Sequence, residues 1–364
     1  MSSKRKQSSR KLSNDDEELR ARVASKVLGE TLNVKPGESI TIETWSTGLP
    51  LAKQIVKEAR KLGAIPLLIT EDEDAYLYGI KNAPREMIGK MGKHEYALLS
   101  GSDAYVFIPG PPVAMYNPML TREEASIATA YNGSWYEAAE KARLRGVRIT
   151  MGYVGKEYAK ALGRKREDIA RSLLKSCLVD FEDLSSKGRA IAGKLRDGAR
   201  ASISSSGGSK LDFTLKGDLV VEDGIVDERD LDERNNVSYM PAGMVQKDVD
   251  PASANGSVKI EQSMTRAGLV SEATLTFEAG KLASWKAPPK SLKVLEPILE
   301  SLPESDRTMK LITIGFNPEM KFGNSQDRFV TGAIGIGGFG FTGIVRKGTL
   351  TVEGASVVDR GRIA

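Results

Sequence analysis

The stretch from Val330 to Gly343 is the first candidate for chemistry, because it holds six glycines between apolar runs. Gly335, Gly337 and Gly340 form a GxGxxG pattern, which binds dinucleotide phosphates when it joins a strand to a helix. The residues after Thr342 instead alternate like a strand, so the helix that such a site needs is not predicted. We therefore expect a tight β-turn or bulge in a packed sheet.

Histidine chemistry is restricted because the chain contains one histidine, His94. An HExxH zinc site and a metal site with several imidazoles are therefore excluded. A Ser-His-Asp triad would need His94 as its base. This residue lies in GKHEYALL, at the start of a predicted helix, and we interpret it as a surface or capping histidine.

A run of carboxylates follows the middle of the chain, in the segment EDGIVDERDLDER. Within this segment, the run consists of Asp227, Glu228, Asp230, Asp232 and Glu233. We interpret the run as a solvated loop. A carboxylate site for Mg²⁺ or Ca²⁺ is the alternative, but the spacing does not match the twelve-residue calcium loop.

Composition limits the class of protein. A length of 364 residues favours two domains. No apolar run approaches the roughly 20 residues of a membrane helix, so we expect no membrane partner. One cysteine, Cys177, excludes an internal disulfide and is typical of a cytoplasmic protein.

The basic excess is concentrated at the N-terminus. The net charge is +5, and five of the first eleven residues are Lys or Arg. We expect residues 1–14 to be a disordered tail that could contact acidic surfaces by charge alone. The remaining sequence does not interleave basic and aromatic residues, so a nucleic-acid partner is not expected.

The elements that must position any site alternate between strands and helices in the first half. Predicted strands are Ser39–Thr44, Ile65–Thr70, Ala104–Ile108 and Val147–Met151, and predicted helices are Asp15–Glu30, Pro50–Leu62 and Thr121–Arg145. This alternation predicts an α/β domain over residues 15–180 with a mostly parallel, doubly wound sheet. Because Ile65–Thr70 is largely apolar, we expect both of its faces to be covered.

The pattern changes in the second half. After a predicted helix at Phe181–Asp197, strands are expected at Ala201–Ser204, Leu211–Leu215, Ser257–Ile260, Leu269–Phe277, Leu311–Ile314 and Leu350–Val352. A helix at Ser291–Ser301 interrupts them. Residues 181–364 therefore read as a β-rich α+β domain.

Several short segments in the second half resemble the thermophilic metallo-aminopeptidases of the aminopeptidase T and aminopeptidase S type. The segment Tyr239–Met244 is similar to the family's P-x-G-E, Phe277–Gly280 to F-E-x-G, Ile314–Pro318 to G-x-N-P, and Thr349–Gly354 to its closing strand and turn. The first-half segments VKPGESITIE and EARKLGAIPLLI also resemble the family's α/β domain. The resemblance covers nearly the whole chain.

The resemblance implies two domains, a homodimer and a pair of divalent metal ions that activate water in the C-terminal domain. The positions that match the family's metal ligands can be compared one at a time. They are Met244, Leu311, Gly335, Gly340 and Thr342, where carboxylates and imidazoles are expected. A lone thioether does not hold Zn²⁺ or Co²⁺ against water. The related dihydroxypyridine dioxygenases hold iron with His and Asp, which this region also lacks.

Our leading hypothesis is a catalytically degenerate member of this family that binds or regulates, with no catalytic residue, no metal ligand and no cofactor. Its partners would be a second copy of the chain and a small molecule or peptide in the cleft. An alternative keeps an enzyme in the same interdomain cleft, either with residual aminopeptidase activity or repurposed for metal-free chemistry. The groups expected near that cleft are Asp248, Asp250, Glu319 and Arg346.

Overall fold

The computed structural model describes residues 15–110, 122–150, 154–265 and 268–364. The predicted tail at residues 1–14 lies outside these ranges, as do Thr121, the expected helix cap, and Met151, the expected strand end. Among the described residues, no helix combines the length and the apolar character needed to span a bilayer.

The helices alternate with strands in the first half and become rare in the second. They are α1 (15–26, continued by a π-turn at Val27–Thr31), α2 (Leu49–Lys61), α3 (Glu73–Asn82), α4 (Arg85–Ile88), α5 (Lys93–Ser100), α6 (Arg122–Lys141), α7 (Lys156–Ala161), α8 (Arg166–Ser176), α9 (Phe181–Ala192), α10 (Glu228–Asp232) and α11 (Pro289–Glu300), with 3₁₀ turns at Glu304–Asp306 and Asp327–Phe329.

The strands fall into two sheets. They are β1 (Ser39–Trp45), β2 (Ile65–Glu71), β3 (Ala104–Ile108), β4 (Arg145–Ile149), β5 (Arg200–Ser204), β6 (Lys210–Glu222), β7 (Val237–Met240), β8 (Met244–Val249), β9 (Asn255–Thr265), β10 (Gly268–Glu278), β11 (Lys281–Lys286), β12 (Leu311–Gly315), β13 (Ile334–Gly337), β14 (Thr342–Val345), β15 (Thr349–Val352), β16 (Ala355–Asp359) and β17 (Arg362–Ile363).

The first sheet has five parallel strands in the order β2-β1-β3-β4-β7. Its α2-facing side buries Ile40 and Ile42 against Ile55 of α2. On the opposite side, Tyr105 of β3 packs with Ala139 of α6. Helices therefore cover both faces, and the predicted α/β class with a parallel doubly wound sheet is confirmed.

The strand β2 corrects one expectation, because it lies at the edge of this sheet and is not covered on both faces. Ile65 is 63% exposed and Leu67 is 51% exposed. The apolar composition of the strand suggested full burial, but composition alone does not distinguish an edge strand from a central one.

The second sheet is antiparallel and large. Its main path runs β14-β13-β12-β8-β6-β5-β15-β16-β17, and β9, β10 and β11 extend from β6. The helix α9 packs on β6 and β8, and α11 packs on β10. The predicted β-rich C-terminal class is confirmed, although the sequence analysis predicted no strand at β7, β8, β11, β13, β16 or β17.

Two predicted helices end earlier than expected, and one predicted loop is helical. The helix expected to reach Arg145 ends at Lys141, because Arg145 starts β4. The helix expected to reach Asp197 ends at Ala192. The acidic run is a helical turn and not a loop, since the Asp227 carboxylate accepts bonds from the backbone N–H groups of Arg229 and Asp230 and caps α10.

The strand β7 links the two sheets. It pairs with β4 in the first sheet, and after Pro241 the chain enters β8 in the second sheet. Ala242 lies in the connection between β7 and β8. The Nδ2 amide of Asn317 donates to its carbonyl at 2.7 Å and to the carbonyl of Ser176 at 3.0 Å. A Cβ atom at Gly243 would lie 2.8 Å from the Asn317 Cβ, so only glycine fits there. The predicted division of the chain into two domains at residue 180 stays a prediction. The first sheet takes its fifth strand, β7, from beyond that residue.

Candidate functional site

The five positions matched to metal ligands lie on one antiparallel sheet but are spread along it. Met244 starts β8 and pairs with Gly315, whereas Leu311 pairs with Asp248. Gly315 follows Leu311 by four positions on β12, which is roughly 13 Å along a strand. Met244 and Leu311 therefore occupy opposite ends of the β8–β12 pairing.

Met244 lies among apolar side chains, with Glu222 as its cross-strand partner on β6. It is 4% exposed and belongs to a buried cluster that includes Ile169, Leu173, Met320, Phe329 and Ile344. A divalent cation placed there would lose its water ligands without gaining oxygen or nitrogen ligands from this cluster.

Gly335 has no room for a side chain. It lies on β13 opposite Thr313 of β12. A Cβ atom at Gly335 would be 2.2 Å from Thr313 Oγ1 and 3.0 Å from Thr342 Cγ2. The threonine side chains therefore fill the space that an imidazole at this position would need.

Gly340 and Thr342 belong to the hairpin that joins β13 to β14. Gly340 is exposed with a positive φ of 91°, and a Cβ atom there would be 2.9 Å from Ile298 Cγ2 of α11. Thr342 pairs with Gly337 across the hairpin. A strand follows the glycines instead of a helix, which confirms the turn and disagrees with a dinucleotide site.

The residues of this region do not fit a dinuclear metal centre. In the described part of the chain, no three His, Cys, Asp or Glu side chains come together in a way that could hold an ion. The side chains at the matched positions are a thioether, an isobutyl group and a hydroxyl, and the two glycines offer none. This donor set does not suit two divalent cations. That these positions are equivalent to the family's ligands stays a prediction.

The groups considered for metal-free chemistry are held in separate places. Asp248 Oδ2 accepts from the Asp218 N–H at 3.3 Å, Asp250 pairs with Lys216 at 3.7 Å, and Glu319 is exposed after β12. Arg346 lies 3.6 Å from Asp327. These contacts give no convergent acid–base group among the four predicted residues.

A different carboxyl group lies buried beside Met244, where the two sheets meet. Glu222 ends β6, pairs with Met244, and accepts from Tyr239 N at 3.3 Å and Ser238 Oγ at 3.4 Å. Burial raises the pKa of Glu222 to about 7, although Arg328 acts in the opposite direction. A carboxyl group that titrates near neutral pH can take up or release a proton under physiological conditions.

A second buried carboxyl group organises the loop after β12. Asp327 accepts from the N–H groups of Gly323 and Asn324, each at 2.9 Å. Burial raises its pKa to about 6, against the effect of those two bonds and of Arg346. The Arg346 guanidinium also lies 4.6 Å from the centre of the Phe322 ring. We assign Asp327 a role in shaping this loop.

A small cavity lies elsewhere, between the first sheet and α6. Its volume is about 50 Å³, and it is lined by Glu43, Tyr105, Phe107, Tyr131, Asn132, Trp135, Tyr136, Gly146, Val147, Arg148 and Val237. The register of β1, β3 and β4 places Glu43, Phe107 and Arg148 in one row across the sheet. The helix α6 closes the cavity with Tyr131, Trp135 and Tyr136.

The polar groups around this cavity are organised by aromatic residues. Tyr105 donates its hydroxyl to Glu43, and Tyr131 donates its hydroxyl to Glu95. Burial raises the pKa of Glu43 even though the Tyr105 bond lowers it. Burial, together with the neighbouring carboxylates, also raises the pKa values of both phenols. The Arg148 guanidinium stacks 5.1 Å from the centre of the Phe107 ring.

Our sequence reasoning missed this cavity and also missed Glu222. One available signal was Glu43 in SITIETW, an acidic residue inside an otherwise buried strand. Another was the aromatic run Trp135–Tyr136 at helical spacing from Tyr131. Neither signal names a function, because a strand carboxylate is meaningful only when its cross-strand neighbours are known.

Comparisons with known proteins agree with the fold. The family model described as "Thermophilic metalloprotease (M29)" matches residues 16–306. This match ends before Leu311, Gly335, Gly340 and Thr342. A search of curated proteins gives no match.

Two solved structures show the same architecture at low sequence identity. AmpT from Thermus thermophilus is 15% identical with a TM-score of 0.66, and the alignment covers 95% of this chain and 99% of AmpT. The 2,5-dihydroxypyridine dioxygenase from Pseudomonas putida KT2440 is 12% identical with a TM-score of 0.62, and the alignment covers 96% of each chain. These similarities establish the fold.

Proposed function

Since this chain belongs to the thermophilic metalloprotease (M29) family, we propose that it is a degenerate member that binds a ligand and does not hydrolyse peptides with a metal pair. One observation carries the proposal: Met244 is buried among apolar side chains at the position where a ligand carboxylate is expected. The absence of side-chain space at Gly335 supports the same conclusion.

The decisive test measures metal content and peptidase activity on the same preparation. The purified protein is incubated with Zn²⁺ or Co²⁺, desalted, and analysed for bound metal and for hydrolysis of aminoacyl p-nitroanilides. We expect metal far below one ion per chain and no hydrolysis that a chelator removes. Tight binding of a metal pair together with chelator-sensitive hydrolysis would contradict the proposal.

A matched variant separates loss of ligands from loss of fold. Met244→Glu restores one expected ligand, and Met244→Gln has nearly the same size without the charge. Because one added carboxylate does not complete a dinuclear site, we expect neither variant to gain metal-dependent activity. A gain in Met244→Glu alone would show that the other ligands are present in some other register.

A second candidate function rests on Glu222. Its pKa of about 7 and its position at the meeting point of the sheets suit a general acid or base in metal-free chemistry. If a substrate turned over without metal, Glu222→Gln would abolish the turnover and Glu222→Asp would retain part of it. Equal turnover in all three proteins would remove Glu222 from the reaction.

We also propose a homodimer in the cytoplasm, as the resemblance and the single cysteine suggest. The exposed Ile65 and Leu67 on the free edge of β2 give apolar surface that a second copy could cover. Light scattering at several concentrations measures whether the protein is a dimer. The same measurement on Leu67→Lys tests whether the β2 edge forms the interface. A monomer at all concentrations would dismiss the dimer, whereas a dimer unaffected by Leu67→Lys would place its interface elsewhere.

A further inference from the structure

We infer that the cavity between the first sheet and α6 is a binding site for a small primary alkylammonium ion. The cavity is about 50 Å³ and is lined by a carboxyl group, an amide and five aromatic rings. It lies in the N-terminal sheet, away from the strands β8 and β12–β14 of the predicted metal site. The inference is independent of peptide hydrolysis, since either activity could exist without the other.

The aromatic rings favour a cation. Tyr105 and Trp135 meet edge to face with their centres 5.2 Å apart, and Trp135 and Tyr136 meet in the same way at 5.3 Å. The planes of the two pairs meet at 75° and 84°, and all three rings line the cavity. Aromatic faces attract ammonium groups, and tryptophan does so most strongly.

Glu43 supplies the charge and the hydrogen-bond acceptors. Tyr105 donates to one oxygen of its carboxyl group, Oε2, which leaves acceptor positions on the other. An ammonium group donates three hydrogen bonds and accepts none, which suits this carboxyl group. The exposed Asn132 lies at the rim of the cavity and marks the side from which a ligand would enter.

The charge balance disfavours an anion. Arg148 is a cation in the lining of the cavity, and its guanidinium is stacked on the Phe107 ring. Besides burial, Glu71 at the end of β2 and Glu95 on α5 raise the pKa of Glu43 on β1, and Glu95 also contributes to the raised pKa of Glu71. The charged groups that act on Glu43 are therefore two carboxyl groups and one cation, and an alkylammonium ion beside Glu43 would offset that excess.

The experiment uses the full-length protein and three probes of similar size: propylammonium chloride, 1-propanol and sodium propionate. Binding is followed by calorimetry and by tryptophan fluorescence, since Trp135 lines the cavity. We expect saturable binding of propylammonium and much weaker binding of the neutral and anionic probes. Binding should also weaken as the pH falls and Glu43 takes up a proton, with Glu71, Glu95 and Arg148 modulating that titration.

Two variants assign the binding to this cavity. Glu43→Gln keeps an oxygen for the Tyr105 hydroxyl but removes the charge, and we expect an affinity loss of about tenfold or more. Trp135→Phe keeps a ring but weakens the cation contact, and we expect a loss of a few-fold. Glu182→Gln on α9 and Trp285→Phe on β11 are the matched controls, and both should bind like the original protein.

Three outcomes would overturn the inference. The first is propionate or 1-propanol binding as tightly as propylammonium. The second is unchanged propylammonium affinity in both Glu43→Gln and Trp135→Phe, provided circular dichroism shows both variants folded. The third is an absence of saturable propylammonium binding to the original protein at any pH between 6 and 9. If Glu43→Gln fails to fold, Trp135→Phe with its Trp285→Phe control decides alone.

Discussion

Glu222 illustrates how one buried carboxyl group can make stability depend on pH. In an unfolded chain its pKa is the ordinary 4.5, and in the folded protein burial raises it to about 7. The folded state therefore binds the proton more tightly. The stabilisation of the folded protein by this proton is fully present below about pH 4.5. As the pH rises through about 7 it is lost, and the free energy of unfolding falls by on the order of 3 kcal/mol.

We predict that Glu222→Gln flattens this part of the stability profile. The free energy of unfolding of the original protein should fall between pH 4.5 and pH 8, and the fall should be smaller in the variant. Urea unfolding at several pH values measures it. Burial also raises the pKa of Asp327, and Asp327 is present in both proteins. The difference between the two stability profiles therefore reports on Glu222 alone.

Asp183→Asn is the control for this prediction, because Asp183 is an exposed residue that pairs with Lys187 on α9. Its profile should follow that of the original protein. If Glu222→Gln also followed the original profile, the carboxyl group would not carry the pH dependence that we assign to it.

At the scale of the element, the β12–β13 pair shows why an imidazole cannot simply be restored. Thr313 Oγ1 is buried without a hydrogen-bond partner among the described residues, and it occupies the space beside Gly335. We predict that Gly335→Ala destabilises the protein by about 1–3 kcal/mol through overpacking. Thermal or urea unfolding measures the change.

The companion substitutions at Thr313 test the cause. Thr313→Ala combined with Gly335→Ala should recover much of the loss, because it removes the hydroxyl that lies closest to the new Cβ atom. Thr313→Val keeps the bulk, so its combination with Gly335→Ala should remain destabilised. Equal stability of the two double variants would mean that Thr313 is not the obstacle.

The elements also show what sequence reasoning could reach. The α/β alternation and the apolar strand runs were sufficient for the fold class, because hydrophobic periodicity is local. The edge position of β2 and the addition of β7 to the first sheet depend on pairings between distant residues. The cavity was missed for the same reason, since Glu43, Phe107 and Arg148 become neighbours only through the register of three strands.

At the scale of the whole molecule, Asn317 joins the loop after β12 to the end of α8 and to the connection between the two sheets. Its Nδ2 amide donates to Ala242 and Ser176, and its Oδ1 accepts from Glu319 N at 2.9 Å and Met320 N at 3.1 Å. We predict that Asn317→Ala lowers the free energy of unfolding by on the order of 3 kcal/mol, because two backbone carbonyls and two backbone N–H groups lose their partner.

Calorimetry measures this prediction and adds a second readout. If Asn317 couples the sheets, the variant should show a broader transition or two separate ones. The exposed Asn82→Ala on α3 is the control and should change little. An Asn317→Ala protein that melted like the control would show that the junction is held by other contacts.

The contribution of β7 to the first sheet has a practical consequence for anyone who divides this chain. A fragment that ends at residue 180 would lack residues 237–240, so the backbone of β4 would be left as an open edge. Open edges recruit strands from other molecules, and such a fragment should aggregate or swap strands on expression. The two halves are therefore interleaved along the chain, and a recombinant protein that exchanges one half for a relative's would have to carry β7 with the first half.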